Sequence, residues 1–302
     1  MRRSQTAGLA TLPSTTSTFT DDRSKRPIYI ALIGHDLDRW SLPALHMSEA
    51  QAMGLDLQVD PLDPRAMVRA RPHLVEMLDM LPLLGFAGAC IASPYKRAAV
   101  AHVDELTPSA RAAGAVTTMV FRDNARIGHN TTAWAFRENL RRVLGQTPPG
   151  RVLVLGAGPS GAAAGHALRD LGATALMIDD PQADRADALA LDLDGTRVTD
   201  LEAAAAAADG IVNASPRGGV ARPGSAVPTE LLRPHHWVAD LSDNPTDTEL
   251  VRAARARGCR TFDGNGVAVF RALRDFHLLT GRAPDVKRLR ATIRQLQPPL
   301  RH

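Results

Sequence analysis

The stretch "VLVLGAGPSG", residues 152–161, constrains this 302-residue chain more than any other. A β-branched and apolar run enters a glycine turn, and a helix-forming run, "AAAGHALRD", leaves it. Gly156, Gly158 and Gly161 have the G-x-G-x-x-G spacing. In that context the first glycine permits a tight turn and the second lets backbone approach a pyrophosphate. The third lets the helix pack on the sheet. The N–H groups and dipole of the helix N-terminus then face the anion. The same glycines could serve backbone geometry alone, but the strand before and the helix after favour a dinucleotide site.

The next apolar run, "TALMI", ends in Asp179 and Asp180, about 20 residues past the glycines, where a carboxylate accepts from a ribose hydroxyl pair and repels a 2′-phosphate. Asp180 is the preferred contact by register, with Asp179 the alternative. Pro181 and Gln182 follow, and Arg185 lies a turn later. The expected cofactor is therefore NAD rather than NADP. Beyond this point strand and helix patterns alternate through "TRVTDLEAAAAAADGIVNASP", "HHWVADLSDNP" and "TDTELVRAARARGCRTFDG". That alternation predicts a parallel sheet covered on both faces. The alanine run reads as the middle of a helix.

Composition limits the alternatives. The net charge is +4, with aromatics at 4%, and the arginines are scattered rather than striped, so nucleic-acid binding is not expected. Cys90 and Cys259 are the only cysteines and have no partners at metal-ligand spacing; neither a metal site nor a disulfide framework is expected. A reduced, cytoplasmic compartment fits that usage. Residues 1–25 are rich in Ser and Thr without a continuous apolar core, and read as a disordered leader rather than a signal peptide or membrane span.

Before the glycine turn, "PIYIALIG" and "LDLQVDPLD" read as strands, and "SLPALHMSEAQAMG" as a helix with an early proline and a glycine stop. "PRAMVRARPHLVEMLDMLPLLG" reads as a helix broken at its prolines, and "AVAHVDELTPSARAAG" as helical. "AVTTMVFRDNARIGHNTT" reads as a hairpin turning at "RDNA". "FAGACIASPYK" is a small-residue strand that delivers Lys96. A lysine there is either a solvated charge or, if partly desolvated in a cleft, an acid/base group.

The pieces "GHDLDRWSLPALH", "GFAGACIASPYK", "GAVTTMV", "GHNTTAW", "VLVLGAGPSG", "NASPRGG", "DLSDNP" and "DGNGVAVFRALRDFHLLTG" stand in an order that resembles the shikimate/quinate dehydrogenases, from about residue 27 to 285. The acidic strand end with "DRADALA" is most similar to the NAD-using quinate/shikimate branch. The resemblance implies an α/β chain of two domains with a cleft between them. Residues 26–131 plus 266–302 would form the substrate domain, and 132–265 a Rossmann dinucleotide-binding domain. The last helices would return to the N-terminal domain. It implies cofactor contacts at Gly156, Ala157, Gly158, Pro159, Ser160, Gly161, Asp179, Asp180, Asn213, Ser215 and Gly264.

Lys96 falls on the catalytic lysine of the family's "NVTxPxK" motif. Its aspartate partner belongs at the fifth position of "GxNTD", which here is Thr132. The two carboxylate-binding hydroxyls of "SxSP" become Trp40 and Leu42, with Ser41 between them. The asparagine and threonine of "NVT" become Cys90 and Ala92, and the asparagine of "GAVNT" becomes Thr117. The tyrosine of "DxxYNP" becomes Asp243, and the glutamine before the final helix becomes Arg271. Asn130 is kept.

Trp40, Leu42, Cys90, Thr117, Asn130, Asp243 and Arg271 are thus the expected substrate positions, with Lys96 and Thr132 at the reacting group. Threonine orients an oxygen but is no base near neutral pH. Tyr95 and His129 are candidate substitutes for the missing acid. Arg271 reads either as an anion clamp or as an i,i+4 partner of Asp275. A buried polar group left unpaired costs ~1–3 kcal/mol, so the lost contacts point to hydride transfer on an atypical small alcohol, ketone or imine. The alternatives are a catalytically silent dinucleotide-binding sensor, and a genuine quinate/shikimate dehydrogenase with rearranged contacts. A small-molecule substrate is the expected partner, and a homodimer is possible.

Overall fold

Alternation of side chains decides the first sheet. In β1 (Ile28–Ile33), Ile30 and Leu32 enter one core while Ala31 and Ile33 enter another, as period-2 geometry requires of a strand buried on both faces. The computed structural model describes residues 27–67, 71–242 and 247–296. The expected leader and Asp243 lie outside the described residues.

After β1 come α1 (Leu42–Ala52), β2 (Leu57–Leu62), α2 (Leu74–Leu83), β3 (Phe86–Ile91), β4 (Glu105–Leu106), α3 (Pro108–Ala113), β5 (Thr118–Arg122) and β6 (Ala125–His129). The six strands are ordered β2-β1-β3-β5-β6-β4. β5 runs antiparallel to both β3 and β6, so this sheet is mixed. The β5–β6 turn is where the sequence put it: Asp123 (φ 51°) and Asn124 (φ 61°) are both left-handed, as a two-residue hairpin turn demands. The helix expected across residues 99–114 is instead three pieces. A 3-10 turn spans Ala98–His102, then β4 pairs with β6, and α3 begins at Pro108. Proline is admitted at a helix start because its missing N–H is unpaired there anyway. Of the proline-broken helix expected over residues 64–85, α2 forms past Pro72, from Leu74.

The second sheet follows α4 (Thr131–Leu144). It contains β7 (Arg151–Leu155), α5 (Pro159–Asp170), β8 (Ala175–Asp179), α6 (Ala183–Asp192), β9 (Thr196–Arg197), α7 (Leu201–Ala207), β10 (Gly210–Asn213), β11 (Trp237–Asp240), α8 (Glu249–Ala256) and β12 (Arg260–Phe262). Its order is β12-β11-β10-β7-β8-β9, all parallel, with the topological switch between β7 and β10. This is the doubly wound dinucleotide-binding arrangement.

The chain ends with α9 (Gly264–Thr280) and α10 (Val286–Gln295), which return to the first sheet. Val269, Ala272, Phe276, Leu279, Leu289 and Ile293 share one core with Ile30, Leu32 and Leu45. Polar contacts fix the return. The buried Glu49 of α1 accepts from Arg288 through Nη2 at 2.6 Å and Nε at 3.0 Å, and from the Asp285 N–H at 2.7 Å. Ser48 and Thr292 share a hydrogen bond of 3.0 Å.

His46 joins the same seam, its Nε2 lying 3.2 Å from the Ala272 carbonyl. Burial lowers its pKa from 6.5 to about 4. The unfolded chain therefore binds a proton that the folded chain refuses between those values. The stability this group contributes is complete above pH 6.5 and is lost as pH falls toward 4. The shift corresponds to about 3 kcal/mol. Urea unfolding at pH 7 and pH 4 is expected to show this loss in the wild type and a smaller one in His46→Gln. Equal losses would remove His46 as the cause.

Candidate active site

The glycine turn lies at the switch point, between the ends of β7 and β10. Gly156 has φ +104°, and a Cβ there would come within 2.8 Å of the Ser215 nitrogen. Its N–H donates to the Asp179 carbonyl at 2.7 Å. A Cβ on Gly161 would lie 1.9 Å from the Gly156 carbonyl oxygen, so close packing of helix on turn demands glycine. Around Gly158, the N-cap of α5, a Cβ would meet no atom within 4 Å. The space is open in front of the helix N-terminus, where a diphosphate needs it. Pro159 and Ser160 start α5 with no side chain capping it.

Asp180 is pinned beside the turn: Oδ2 accepts from the Ala157 N–H at 2.8 Å and Oδ1 from the Gln182 N–H at 2.9 Å. Each oxygen keeps a further lone pair for a ribose hydroxyl. Asp179 lies instead on the wall of a cavity of about 610 Å³, with Gly156, Pro181, Ser215 and Arg217. Burial, with Asp180 adding to it, raises the Asp179 pKa. Asn213 braces the opposite wall. Its Oδ1 accepts from the Ser215 N–H at 3.0 Å and from its hydroxyl at 2.7 Å, while Nδ2 donates to the Arg217 carbonyl at 2.8 Å. Arg217 is the lining residue that sequence reasoning missed; its only signal was a cation inside "NASPRGG". The open helix end, the free cavity and the pinned acid together fit a dinucleotide. Gly264 is the buried first residue of α9.

Lys96 follows β3 and a cis Ser93–Pro94 bond, and is partly exposed. Its carbonyl accepts from the Val116 N–H at 2.8 Å, and the next N–H, that of Thr117, donates to the His129 carbonyl at 2.8 Å. Those two bonds bring the lysine loop, the start of β5 and the end of β6 to one edge. Thr132 sits there in the first turn of α4, buried, its hydroxyl without a hydrogen-bond partner. Tyr95 donates to or accepts from His35 Nε2 at 3.2 Å. His129 is half-buried, and burial together with Arg274 and Arg122 lowers its pKa.

Several expected substrate positions are occupied with framework duties. Asn130 caps α4, accepting from the Ala133 N–H at 3.2 Å and donating to the Ala115 carbonyl at 3.1 Å, and it is buried. Each end of its amide makes one framework bond, and one N–H and one carbonyl lone pair remain for a further contact. Thr117 accepts from the Thr131 N–H at 2.8 Å and shares a hydroxyl contact with Thr131 at 3.1 Å. Leu42 and Cys90 are core residues. Burial raises the Cys90 thiol pKa well above its usual value.

Asp275 lies behind this cluster, fully buried, with Oδ1 accepting from Thr118 at 2.5 Å. Its pKa is raised by burial, against the opposing pull of Arg271 and Thr118. Arg271 is its ion-pair partner at 3.7 Å, Nε to Oδ2, too long for a hydrogen bond. Arg271 also stacks under the Trp40 ring, 4.9 Å from its centroid. Trp40, Ser41, Leu42, Ala268 and Arg271 line a recess of about 20 Å³. Another cavity, of about 530 Å³, is lined by residues of α3, α4 and α5 together with His129, Trp134, Arg137 and Arg274.

The doubly wound sheet with an open glycine turn is a dinucleotide-binding arrangement, and its relatives make the chain an NAD(P)-dependent dehydrogenase. Residues 32–119 match the family described as "Shikimate dehydrogenase substrate binding domain". A shikimate dehydrogenase (NADP(+)) of Streptomyces avermitilis is 41% identical over 277 residues, covering 88% of this chain and 95% of that one. A quinate/shikimate dehydrogenase (NAD(+)) of Corynebacterium efficiens is 39% identical over 282 residues, covering 89% and 98%. The quinate dehydrogenase of Corynebacterium glutamicum, solved in complex with NAD, superposes with a TM-score of 0.83 at 36% identity, covering 89% of this chain and 99% of that one. The chain belongs to the shikimate/quinate dehydrogenase family. Among the described residues no helix is long and apolar enough to cross a membrane, and no cluster of metal-binding side chains is found.

Proposed function

We propose that this protein is an NAD-dependent dehydrogenase that oxidises or reduces a ring hydroxy acid of the shikimate/quinate class. The observation that carries the reading is the placement of Lys96: its loop shares an edge with Thr117 and His129, at the end of the first sheet. The atypical alcohol, ketone or imine expected from the altered pocket loses ground. Relatives at 38–41% identity over 88–89% of this chain, named for either cofactor, bear shikimate or quinate/shikimate names. The alternative of a genuine family enzyme with rearranged contacts is the better supported one. We take the division at residues 26–131 plus 266–302 and 132–265 as its two domains.

In this reading Gly156 to Gly161 hold the diphosphate and Asp180 the adenosine ribose. The nicotinamide supplies the hydride acceptor. Lys96 hydrogen-bonds the reacting oxygen and moves its proton. Thr132 replaces a carboxylate with a hydroxyl, so it offers orientation without taking a proton. That unpaired buried hydroxyl favours one other reading, a silent homologue that binds dinucleotide without turnover.

Steady-state assays with shikimate and quinate, each with NAD and NADP, decide between them. Turnover of either acid is expected; none with both acids and both cofactors would leave the silent reading. By calorimetry NAD is expected to bind more tightly than NADP, because a carboxylate at Asp180 repels a 2′-phosphate. Asp180→Ala is expected to narrow that preference about tenfold or more while weakening NAD less, since the glycine turn survives. Equal affinities in the wild type would count against Asp180 as the discriminating group, and would direct attention to Arg217 across the cavity.

A further inference from the structure

One face of α4 carries cations that the reaction leaves unused. Trp134 and Arg137 lie a turn apart on it, opposite the buried Thr132, Phe136 and Asn139. With Arg274 of α9 and His129 at the end of β6 they line the cavity of about 530 Å³. The Arg274 guanidinium lies over the Trp134 ring, 5.7 Å from its centroid, and makes no hydrogen bond or ion pair among the described residues. A guanidinium held by its flat face keeps its N–H donors for an anion at its rim. The carboxylates beside Arg137 are Glu138, 3.4 Å from Nε, and Asp170, 3.7 Å from Nη1, and neither makes a hydrogen bond to it.

The rest of the wall is mixed. Ala112, Ala163, Ala167 and Leu278 supply apolar surface. Asp170 is the one carboxylate among the described lining residues, and it is exposed, so two arginines leave the wall net positive. His166, also in the lining, has its own partner in Asp192 at 3.0 Å. The volume suits a small molecule, for which sites of ~300–1,000 Å³ are usual. An inorganic ion would leave the apolar wall bare, and a neutral hydrocarbon would leave both guanidinium groups unanswered. A small acid with an apolar body answers both.

We propose that this cavity is a second ligand site, for a small organic acid whose carboxylate takes Arg274 and Arg137 and whose apolar body rests on α5 and Leu278. Its lining includes neither the glycine turn nor Thr132, so the acid binds beside the cofactor rather than in its place, and the inference stands whatever the enzyme's substrate. The walls come from both sides of the connecting helices. α3, the end of β6 and α9 contribute from the first sheet's half, and α4 and α5 from the second's. A bound acid therefore touches both halves of the chain.

Calorimetry on the full chain with saturating NAD tests it, using cinnamate and its neutral counterpart cinnamamide as probes. The wild type is expected to bind cinnamate at least ~10-fold more tightly than the amide, the scale of a charge-assisted hydrogen bond. Arg274→Gln is expected to remove most of that preference. Arg137→Gln, on another helix, is expected to reduce it in the same direction, so the result does not hang on the folding of one variant. Lys96→Ala is expected to leave cinnamate binding unchanged, which separates this site from the reacting group. A second readout is local. Arg274 and Arg122 help to hold the His129 pKa down, and an anion beside Arg274 offsets that charge, so cinnamate is expected to raise the His129 pKa followed by NMR of its ring protons. Failure of cinnamate to bind, equal binding of acid and amide, or a preference that survives both arginine variants or disappears in Lys96→Ala would each overturn the proposal.

Discussion

Lys96→Ala is expected to lower kcat on shikimate or quinate by ~10²-fold or more, the usual contribution of a positioned acid/base. The affinity for NAD, measured by calorimetry, is expected to stay within about twofold. The reason is positional: Lys96 follows β3 in the first sheet, whereas the diphosphate turn follows β7 in the second. A surface lysine would leave both quantities unchanged, and a lysine that mainly holds the fold would lower stability along with activity. Lys96→Arg is a useful companion. It keeps the charge but neither the reach nor the titration of an amine, so it is expected to restore little activity.

Gly161→Ala is expected to produce the opposite pattern. The added methyl would lie 1.9 Å from the Gly156 carbonyl oxygen, a backbone atom that cannot swing aside. Either α5 must lift from the turn or the turn must open, and both move the N–H groups that face the diphosphate. Overpacking of this kind costs ~1–3 kcal/mol, and NAD affinity is expected to fall about 10- to 100-fold. Binding of the ring acid to the first sheet is expected to survive, because that core shares no residue with the turn. NAD binding at wild-type strength would mean that the turn is not where the cofactor sits. Gly158→Ala is the control within the same motif: nothing lies within 4 Å of its Cβ position, so only the bound cofactor would feel the methyl.

What could be read in the sequence followed from how locally each feature is specified. The glycine turn, the Asp123–Asn124 hairpin and the early-proline helix α1 each depend on a few adjacent residues, and each was legible. The edge strand of the first sheet was not, because β4 is two residues long and gains its identity only by pairing with β6. The i,i+4 relation of Arg271 and Asp275 was visible, whereas the grip of Thr118 on Asp275 spans 157 positions and was not. The capping role of Asn130 was not read from the sequence, although its place immediately before a helix already suited it. Counting lost hydroxyls and amides at Trp40, Leu42, Cys90 and Thr117 prices only what is gone, and it pointed away from the shikimate and quinate names that the relatives carry.

The return of α9 and α10 to the first sheet has a consequence for how the protein is made. One face of that sheet stays open until Val269, Phe276, Leu279 and Ile293 arrive to close it. On a ribosome adding ~5–20 residues per second, roughly ten to thirty seconds separate the synthesis of β6 from that of α10. The second sheet has all its strands by Phe262 and can form in the interval. The half that is translated first is therefore completed last, and Ile30, Leu32 and Leu45 wait as exposed apolar surface in the nascent chain. A chaperone that shields early-emerging strands would act on this segment, and a stalled chain lacking its last thirty residues would carry a finished cofactor half joined to an unfinished substrate half.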